Sequence, residues 1–121
     1  DHINQKKTII AIGPGLSQHP RTAELIRQLL CSLTQPSVID ADGLNALAKS
    51  VDLLSMLPKS NKRQLVITPH LGEMARLIDR SIDSIAKNPI DAATNLARIH
   101  QLTVVLKSVP VTIVDSEGQV L

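Results

Sequence analysis

Short aliphatic runs recur along this chain, and each is followed by a break and then by a helix-like segment. With their exits they occupy residues 8–12, 37–42, 65–67 and 102–107. The spacing between them is about 30 residues or slightly more, which is the size of a βαβ unit. Their apolar character is typical of parallel strands buried on both faces. This pattern predicts an α/β fold with a mainly parallel sheet and flanking helices.

Helices are predicted between these strands. The first begins at Pro20, which suits an initial helical turn, and ends near Pro36. One face of this helix is apolar and carries Leu25, Ile26, Leu29, Leu30 and Leu33. Further helices are predicted over residues 43–50, 53–57, 73–78 and 88–100, whereas 79–87 are expected to be irregular or to form one short turn. Residues 111–114 and 119–121 flank a Gly-containing turn and predict a C-terminal antiparallel hairpin.

Composition narrows the possible functions of this 121-residue chain, whose length suits one domain. The net charge of +2 is too small to argue for nucleic acid, and without Phe, Tyr or Trp there is no aromatic platform for stacking bases. No apolar run approaches the ~18 residues of a membrane span. Cys31, inside a predicted helix, is expected to be a packed thiol. We therefore expect a cytoplasmic protein that binds neither nucleic acid nor membranes.

Polar residues and glycines collect where the predicted strands end. In an open parallel sheet the carboxyl ends of the strands meet at one edge, and ligands bind in the crevice outside it. We therefore expect these residues to form one polar edge on an otherwise apolar sheet. They are Gly13, Gly15, Ser17, Asp40, Asp42, Asn45, Thr68, His70, Glu73 and Lys107.

Each of these residues also has a purely structural explanation. The segment from Gly13 to Gly15 is either a phosphate- or sugar-binding turn or a structural turn, and it lacks the full dinucleotide and P-loop patterns. Asp42 and Asn45 are expected to cap the following helix. Glu73 is also favourable at the positive end of a helix. Lys107 suits a phosphate group but could also reach solvent.

Four segments, in this order, carry a family resemblance: Ala11–Leu16 as AIGPGL, Val38–Asn45 as VIDADGLN, Ile67–Leu77 as ITPHLGEMARL, and Val104–Lys107 as VVLK. Together they closely resemble the ADP/ATP-dependent NAD(P)H-hydrate dehydratases, which are lyases with a ribokinase-like fold. In that family a nucleotide phosphorylates the hydroxyl of hydrated NAD(P)H, and elimination of phosphate restores NAD(P)H. The resemblance implies metabolite repair.

The resemblance also implies roles for individual residues. The residues implied to contact the hydrated NADH or NADPH are Gly13, Gly15, Ser17, His70 and Glu73. Those implied to contact ADP or ATP are Lys107, Ser108, Val109, Pro110 and Val111. Mg²⁺ would accompany the nucleotide phosphates without a dedicated metal site in the chain, and the complete protein would be a homo-oligomer.

The chain departs from the family pattern at several places. Ser17 replaces a Gly, Leu71 replaces a Pro, and Thr112 stands one position late in the family's Lys-Gly-x-x-Thr pattern. The family's first strands and its C-terminal Gly-rich anion-hole segment are not found within residues 1–121. The resemblance implies that the general-base Asp of this segment lies beyond Leu121.

We therefore expect a partial ribokinase-like domain with no catalytic residue of its own and no activity in isolation. Two alternatives stay open. One is another ribokinase-like small-molecule kinase, and the other is a non-catalytic remnant that binds a nucleotide or a partner.

Overall fold

The computed structural model describes residues 9–13, 20–32, 35–48 and 64–121. Its centre is a five-stranded sheet in which the strands follow one another in chain order. The strands are β1 (Ile10–Ile12), β2 (Ser37–Ile39), β3 (Leu65–Ile67), β4 (Thr103–Leu106) and β5 (Thr112–Val114). The first four are parallel, and β5 runs antiparallel to β4. The predicted α/β class with a mainly parallel sheet is confirmed.

One row of aligned side chains shows why the sheet forms a core. Ile12 pairs with Ile39, Ile39 with Ile67, and Ile67 with Val104. All four are buried, and the three on β2, β3 and β4 have no exposed surface. Branched aliphatic residues at these positions fill the space between strand and helices without aromatic side chains.

Five helices lie beside the strands in the described residues. They are α1 (Pro20–Ser32), α2 (Ala41–Ala48), α3 (Leu71–Ile78), α4 (Ile82–Lys87) and α5 (Pro89–His100). The start of α5 is as predicted, because the Asn88 side chain accepts from Asp91 N–H and Pro89 occupies the first turn. No helix in the described part of the chain is both long and apolar enough to cross a membrane.

The prediction for residues 79–87 was wrong in part, because six of them form α4. Ser81 caps this helix by accepting a hydrogen bond from Ser84 N–H, at 3.1 Å. The predicted helix over 43–50 also begins earlier, at Ala41. Predictions for residue 8, the turn at 14–17, Leu33, residues 49–50 and the helix at 53–57 lie outside the described residues.

The apolar face predicted for α1 was only half right. Ile26 and Leu30 are buried, but Leu25 is 63% exposed and Leu29 42% exposed. The buried face instead carries Ala23, Ile26 and Leu30, which are three and four residues apart. Leu25 and Leu29 each precede one of these buried residues and therefore point to the side of that face.

Cys31 is exposed, so the packed thiol predicted for it was wrong. It follows the buried Leu30 and is turned away from the core, because adjacent helical residues do not share a face. On the same helix Arg27 donates to Glu24 at 2.7 Å, and this hydrogen bond with the guanidinium charge lowers the pKa of the Glu24 carboxyl.

The C-terminal residues form two successive antiparallel connections. The first joins β4 to β5 through residues 107–111, and it carries the more extensive ladder. The chain then reverses again after β5, in a turn where Asp115 Oδ1 accepts from Glu117 N–H and Gln119 N–H, both at 2.9 Å.

The hairpin predicted between residues 111–114 and 119–121 is present in a reduced form. Its second arm is not a strand, and the two arms share one antiparallel bridge, between Val114 and Val120. Leu121 N–H donates to the Ile113 carbonyl at 2.9 Å, while the Leu121 side chain is exposed. Val120 is 47% exposed and Leu121 is 73% exposed.

Candidate functional site

The carboxyl ends of the four parallel strands meet at one edge of the sheet, as predicted. Gly13 follows β1, Asp40 follows β2, His70 lies beyond β3, and Lys107 follows β4. Lys107 N–H donates to the Pro69 carbonyl at 2.8 Å, and a parallel bridge joins His70 to Lys107. Residues separated by up to about a hundred positions in the sequence are therefore neighbours here. We call Gly13, Asp40, His70 and Lys107 the strand-exit row.

The backbone at Gly13 has no room for a side chain. Its φ of +133° is one that residues with a side chain rarely adopt, and an added Cβ would lie 1.6 Å from the Asp40 carbonyl oxygen. The backbone at Gly13 therefore packs closely against the exit of β2. Gly15 and Ser17, predicted to continue this turn, lie outside the described residues.

His70 and Glu73 form a reciprocal cap at the start of α3. His70 Nδ1 accepts from Glu73 N–H at 3.1 Å, while Glu73 Oε1 accepts from His70 N–H at 3.0 Å. Glu73 is buried, whereas the His70 side chain is 55% exposed. Because Nδ1 is an acceptor, the neutral imidazole carries its proton on Nε2. His70 Nε2 also lies 3.6 Å from Glu73 Oε2, so Glu73 orients both the backbone and the imidazole of His70 at the edge of the sheet.

Lys107 crosses the edge of the sheet to reach Asp40. Its Nζ lies 3.1 Å from Asp40 Oδ1, and this ion pair joins the exits of β4 and β2 across the end of the intervening β3. The lysine side chain is 44% exposed and the aspartate 32% exposed. A half-exposed ammonium held at a strand exit can exchange a carboxylate for a phosphate oxygen.

The loop after Lys107 contains the other predicted nucleotide contacts. Ser108 Oγ donates to the Pro110 carbonyl at 2.8 Å, which closes the loop on itself. Val109 is fully exposed and Val111 is largely exposed. The loop therefore begins at the strand-exit row and presents an apolar tip to solvent.

Three features of this edge were not predicted. Asn45 does not cap α2, because it lies inside the helix and its Oδ1 accepts from Arg76 Nε on α3 at 3.1 Å. Arg76 was not among the predicted site residues. Its spacing of four residues from Gly72 places the two on one helical face, and this was the signal that could have indicated it. Thr68 Oγ1 is buried without a hydrogen-bond partner in the described residues. Nothing local in the sequence distinguishes the Asn45–Arg76 contact, which joins two helices.

The described residues contain no group of three or more His, Cys, Asp or Glu side chains that could hold a metal ion. The chemistry available at the edge consists of a lysine ammonium, an aspartate carboxylate, an imidazole donor and closely approaching backbone. Such a set can bind and orient a phosphorylated or hydroxylated ligand.

The chain is similar in sequence to known proteins. The Carb_kinase family model, described as NAD(P)H-hydrate dehydratase, matches residues 1–121. A bifunctional NAD(P)H-hydrate repair enzyme Nnr of Moorella thermoacetica is 40% identical over 112 residues, which are 93% of this chain and 20% of the relative. An ATP-dependent (S)-NAD(P)H-hydrate dehydratase of Drosophila pseudoobscura pseudoobscura is 35% identical over 80 residues, covering 64% of this chain and 25% of the relative.

A solved structure shows the same fold. A Bacillus subtilis ADP/ATP-dependent NAD(P)H-hydrate dehydratase, co-crystallised with ATP and Mg²⁺, superposes with a TM-score of 0.71 at 29% identity. The match covers 93% of this chain and 37% of that one. The chain thus spans a fifth to two fifths of the length of these proteins. A ribokinase-like superfamily protein from Enterococcus faecalis also superposes, with a TM-score of 0.71 at 25% identity over 89% of this chain and 36% of that one, so the ribokinase-like expectation is confirmed. The chain belongs to the Carb_kinase family described as NAD(P)H-hydrate dehydratase.

Proposed function

We propose that this protein takes part in the nucleotide-dependent dehydration of hydrated NADH or NADPH. ADP or ATP would phosphorylate the hydroxyl of the hydrated nicotinamide ring, and loss of phosphate would restore the reduced dinucleotide. This chain would supply part of the substrate site and part of the nucleotide site. The observation that carries the proposal is the strand-exit row, in which residues from all four family-like segments lie at one edge of the sheet.

The residues at this edge fit an adenine nucleotide. Lys107 Nζ is partly exposed and its ion pair with Asp40 is open to water, so the ammonium can turn to a phosphate group. Mg²⁺ at nucleotide sites is usually bound by phosphates, waters and one or two carboxylates. Asp40 is a carboxylate at this edge that could supply such a ligand. When bound, Mg²⁺ would neutralise charge on the transferring phosphoryl group.

The chain's own residues would act by positioning and by electrostatics, which dominate phosphoryl transfer. The His70 imidazole is partly exposed at the edge beside Glu73, and there it would bind a polar group of the hydrated dinucleotide. Gly13, at the exit of β1, would contact the same ligand through its backbone. We place Ser108, Val109, Pro110 and Val111 beside the adenine nucleotide, and we assign no general base to the residues up to Leu121.

The test uses the protein expressed from its complete reading frame, incubated with hydrated NADH and with hydrated NADPH in the presence of ADP or ATP. We expect the near-ultraviolet absorbance of the reduced nicotinamide to return only when a nucleotide is present, with release of inorganic phosphate. A stable phosphorylated product would instead identify a small-molecule kinase. Absence of both signals, with the protein folded, would overturn the proposed function.

Two broader properties belong to the same proposal. We expect the protein to act in the cytoplasm, and we expect a homo-oligomer. Sedimentation velocity of the complete protein measures the second property directly, and a monomer at micromolar concentration would contradict it.

A further inference from the structure

Arg76 reaches the edge of the sheet although it belongs to the second turn of α3. Helical side chains lean toward the helix N-terminus, and the N-terminus of α3 lies at the exit of β3. A Cβ on Gly72 would lie 3.9 Å from Arg76 Nη1 and 3.0 Å from His70 Cε1. The guanidinium and the imidazole therefore border the same space beside Gly72.

One nitrogen of the Arg76 guanidinium makes a hydrogen bond within the described residues, and the other two do not. Its Nε donates to Asn45 Oδ1 at 3.1 Å, which fixes the guanidinium between α2 and α3. Neither of its Nη atoms has a hydrogen-bond acceptor among the residues that the structure describes. Arg27 and Arg80 differ, because each uses an Nη group in a contact within its own neighbourhood, to Glu24 and to Ser84.

The remaining donors of Arg76 suit a phosphate. A guanidinium presents planar pairs of N–H groups that match phosphate oxygens, and its charge persists at every physiological pH. Anchoring Nε reduces the rotamer entropy that the side chain would lose when a ligand binds. The position beside His70 places these donors where the proposed function puts the hydrated dinucleotide, a ligand with a pyrophosphate and, in NADPH, a further ribose phosphate.

We propose that Arg76 is a specificity-determining residue that binds a phosphate group of the hydrated dinucleotide, and that Asn45 positions it. This inference rests on the proposed function. A purely structural role, in which Arg76 only ties α2 to α3, makes a different prediction. Losing one exposed hydrogen bond would then lower the urea midpoint slightly and leave ligand binding intact.

The experiment compares Arg76→Gln, Arg76→Lys and the matched control Arg80→Gln in the protein expressed from its complete reading frame. Arg80 lies beyond the end of the same helix and bonds to Ser84, away from the strand-exit row. We expect Arg76→Gln to raise the KM for the hydrated dinucleotide about tenfold, equivalent to about 1.4 kcal/mol. Its kcat and its KM for ATP should match wild type, which is the signature of lost uniform binding.

The other variants show which property of Arg76 matters for the KM. Arg76→Lys should recover part of the affinity through its charge, Asn45→Ala should raise the same KM by a smaller factor, and Arg80→Gln should behave as wild type. If Arg76→Gln raises the KM for both hydrated NADH and hydrated NADPH, Arg76 contacts the pyrophosphate. If it raises the KM for hydrated NADPH alone, Arg76 contacts the ribose phosphate. An unchanged KM for both substrates, or a rise in the KM for ATP alone, would overturn the inference.

Binding measured without turnover separates this inference from the proposed function. NADPH is titrated calorimetrically into the wild-type protein, Arg76→Gln and Arg80→Gln. We expect about tenfold weaker binding in Arg76→Gln alone, again about 1.4 kcal/mol. If the wild type binds NADPH but does not convert the hydrated dinucleotide back to NADPH, the dehydratase proposal fails. The titration still decides the role of Arg76. Equal binding by all three proteins would overturn the assignment.

Discussion

At the scale of single residues, Glu73 is important for the backbone that carries His70. Its buried carboxylate accepts from His70 N–H, and its own N–H donates to the imidazole. Without the carboxylate the His70 amide loses its partner and α3 loses half of its capping box. The acidic residue that looked favourable for the helix dipole therefore has a more specific structural role.

We expect Glu73→Ala to lower the free energy of unfolding by about 1–3 kcal/mol, the cost of a lost cap and an unsatisfied amide. Glu73→Gln should cost clearly less, because glutamine can also complete a capping box. Urea denaturation followed by far-ultraviolet circular dichroism measures both. Equal losses in the two variants would show that charge, and not the hydrogen bond, stabilises the helix start.

Gly72 offers a second test at this scale, because the missing side chain leaves room for the imidazole. An alanine Cβ would approach His70 Cε1 to 3.0 Å and Nδ1 to 3.3 Å, so the ring must shift. Alanine also favours the helix, by at most about 1 kcal/mol. We therefore expect Gly72→Ala to leave the urea midpoint near wild type while raising the KM for the hydrated dinucleotide. A variant with unchanged KM would remove His70 from the substrate site.

At the scale of elements, the exits of β1 and β2 interlock through backbone alone. Gly13 lies against the Asp40 carbonyl, and Asp40 N–H donates to the Ile12 carbonyl at 2.9 Å. Gly43 on α2 packs beside the same exit, where an added Cβ would lie 3.0 Å from Ile39 Cγ2 and 3.1 Å from the Ile12 carbonyl. The two glycines allow a helix and two strand ends to meet closely.

We expect Gly13→Ala to destabilise the protein by more than about 2 kcal/mol, because the backbone must move and a positive φ becomes strained. Gly43→Ala is the matched control and should cost less, since its tightest neighbour is a side-chain methyl and alanine favours the helix. Thermal unfolding of both variants gives the comparison. A milder effect for Gly13→Ala than for Gly43→Ala would contradict the interlocked arrangement.

At the scale of the whole molecule, one ion pair joins parts of the chain that are 67 residues apart. Lys107 and Asp40 connect β4 to β2 over the end of β3. Both side chains are partly exposed, so water screens the pair and its contribution to folding is small. Its position at the centre of the strand-exit row favours a role in binding over one in stability.

We expect a double-mutant cycle of Asp40→Asn and Lys107→Met to give a coupling free energy below about 1 kcal/mol in urea unfolding. Lys107→Met should nevertheless raise the KM for ADP or ATP strongly, because a phosphate contact is lost. Lys87→Met, on the exposed end of α4, is the control and should match wild type. An unchanged nucleotide KM in Lys107→Met would exclude this lysine from the nucleotide site.

Local sequence patterns were sufficient to predict the five strands and most of the helices in the described residues, but not α4, and the edge at which the strands end. Repeating aliphatic runs specify a parallel sheet, and in such a sheet all strand exits face one edge. Gly13, Asp40, His70 and Lys107 could therefore be grouped before any coordinates. Local hydrogen-bonding rules also placed the cap at Asn88 and indicated a helix start near Glu73.

Packing between separate elements determined which side chains touch. Exposure of Cys31 and Leu25 depends on how α1 is rotated against the sheet, which a broad apolar face leaves open. The Asn45–Arg76 and Asp40–Lys107 contacts join residues 31 and 67 positions apart. Such pairs form only when separate elements pack, and no local pattern encodes that geometry. The amino-acid pattern therefore identified the edge of the sheet, and the tertiary structure arranged its charges and donors.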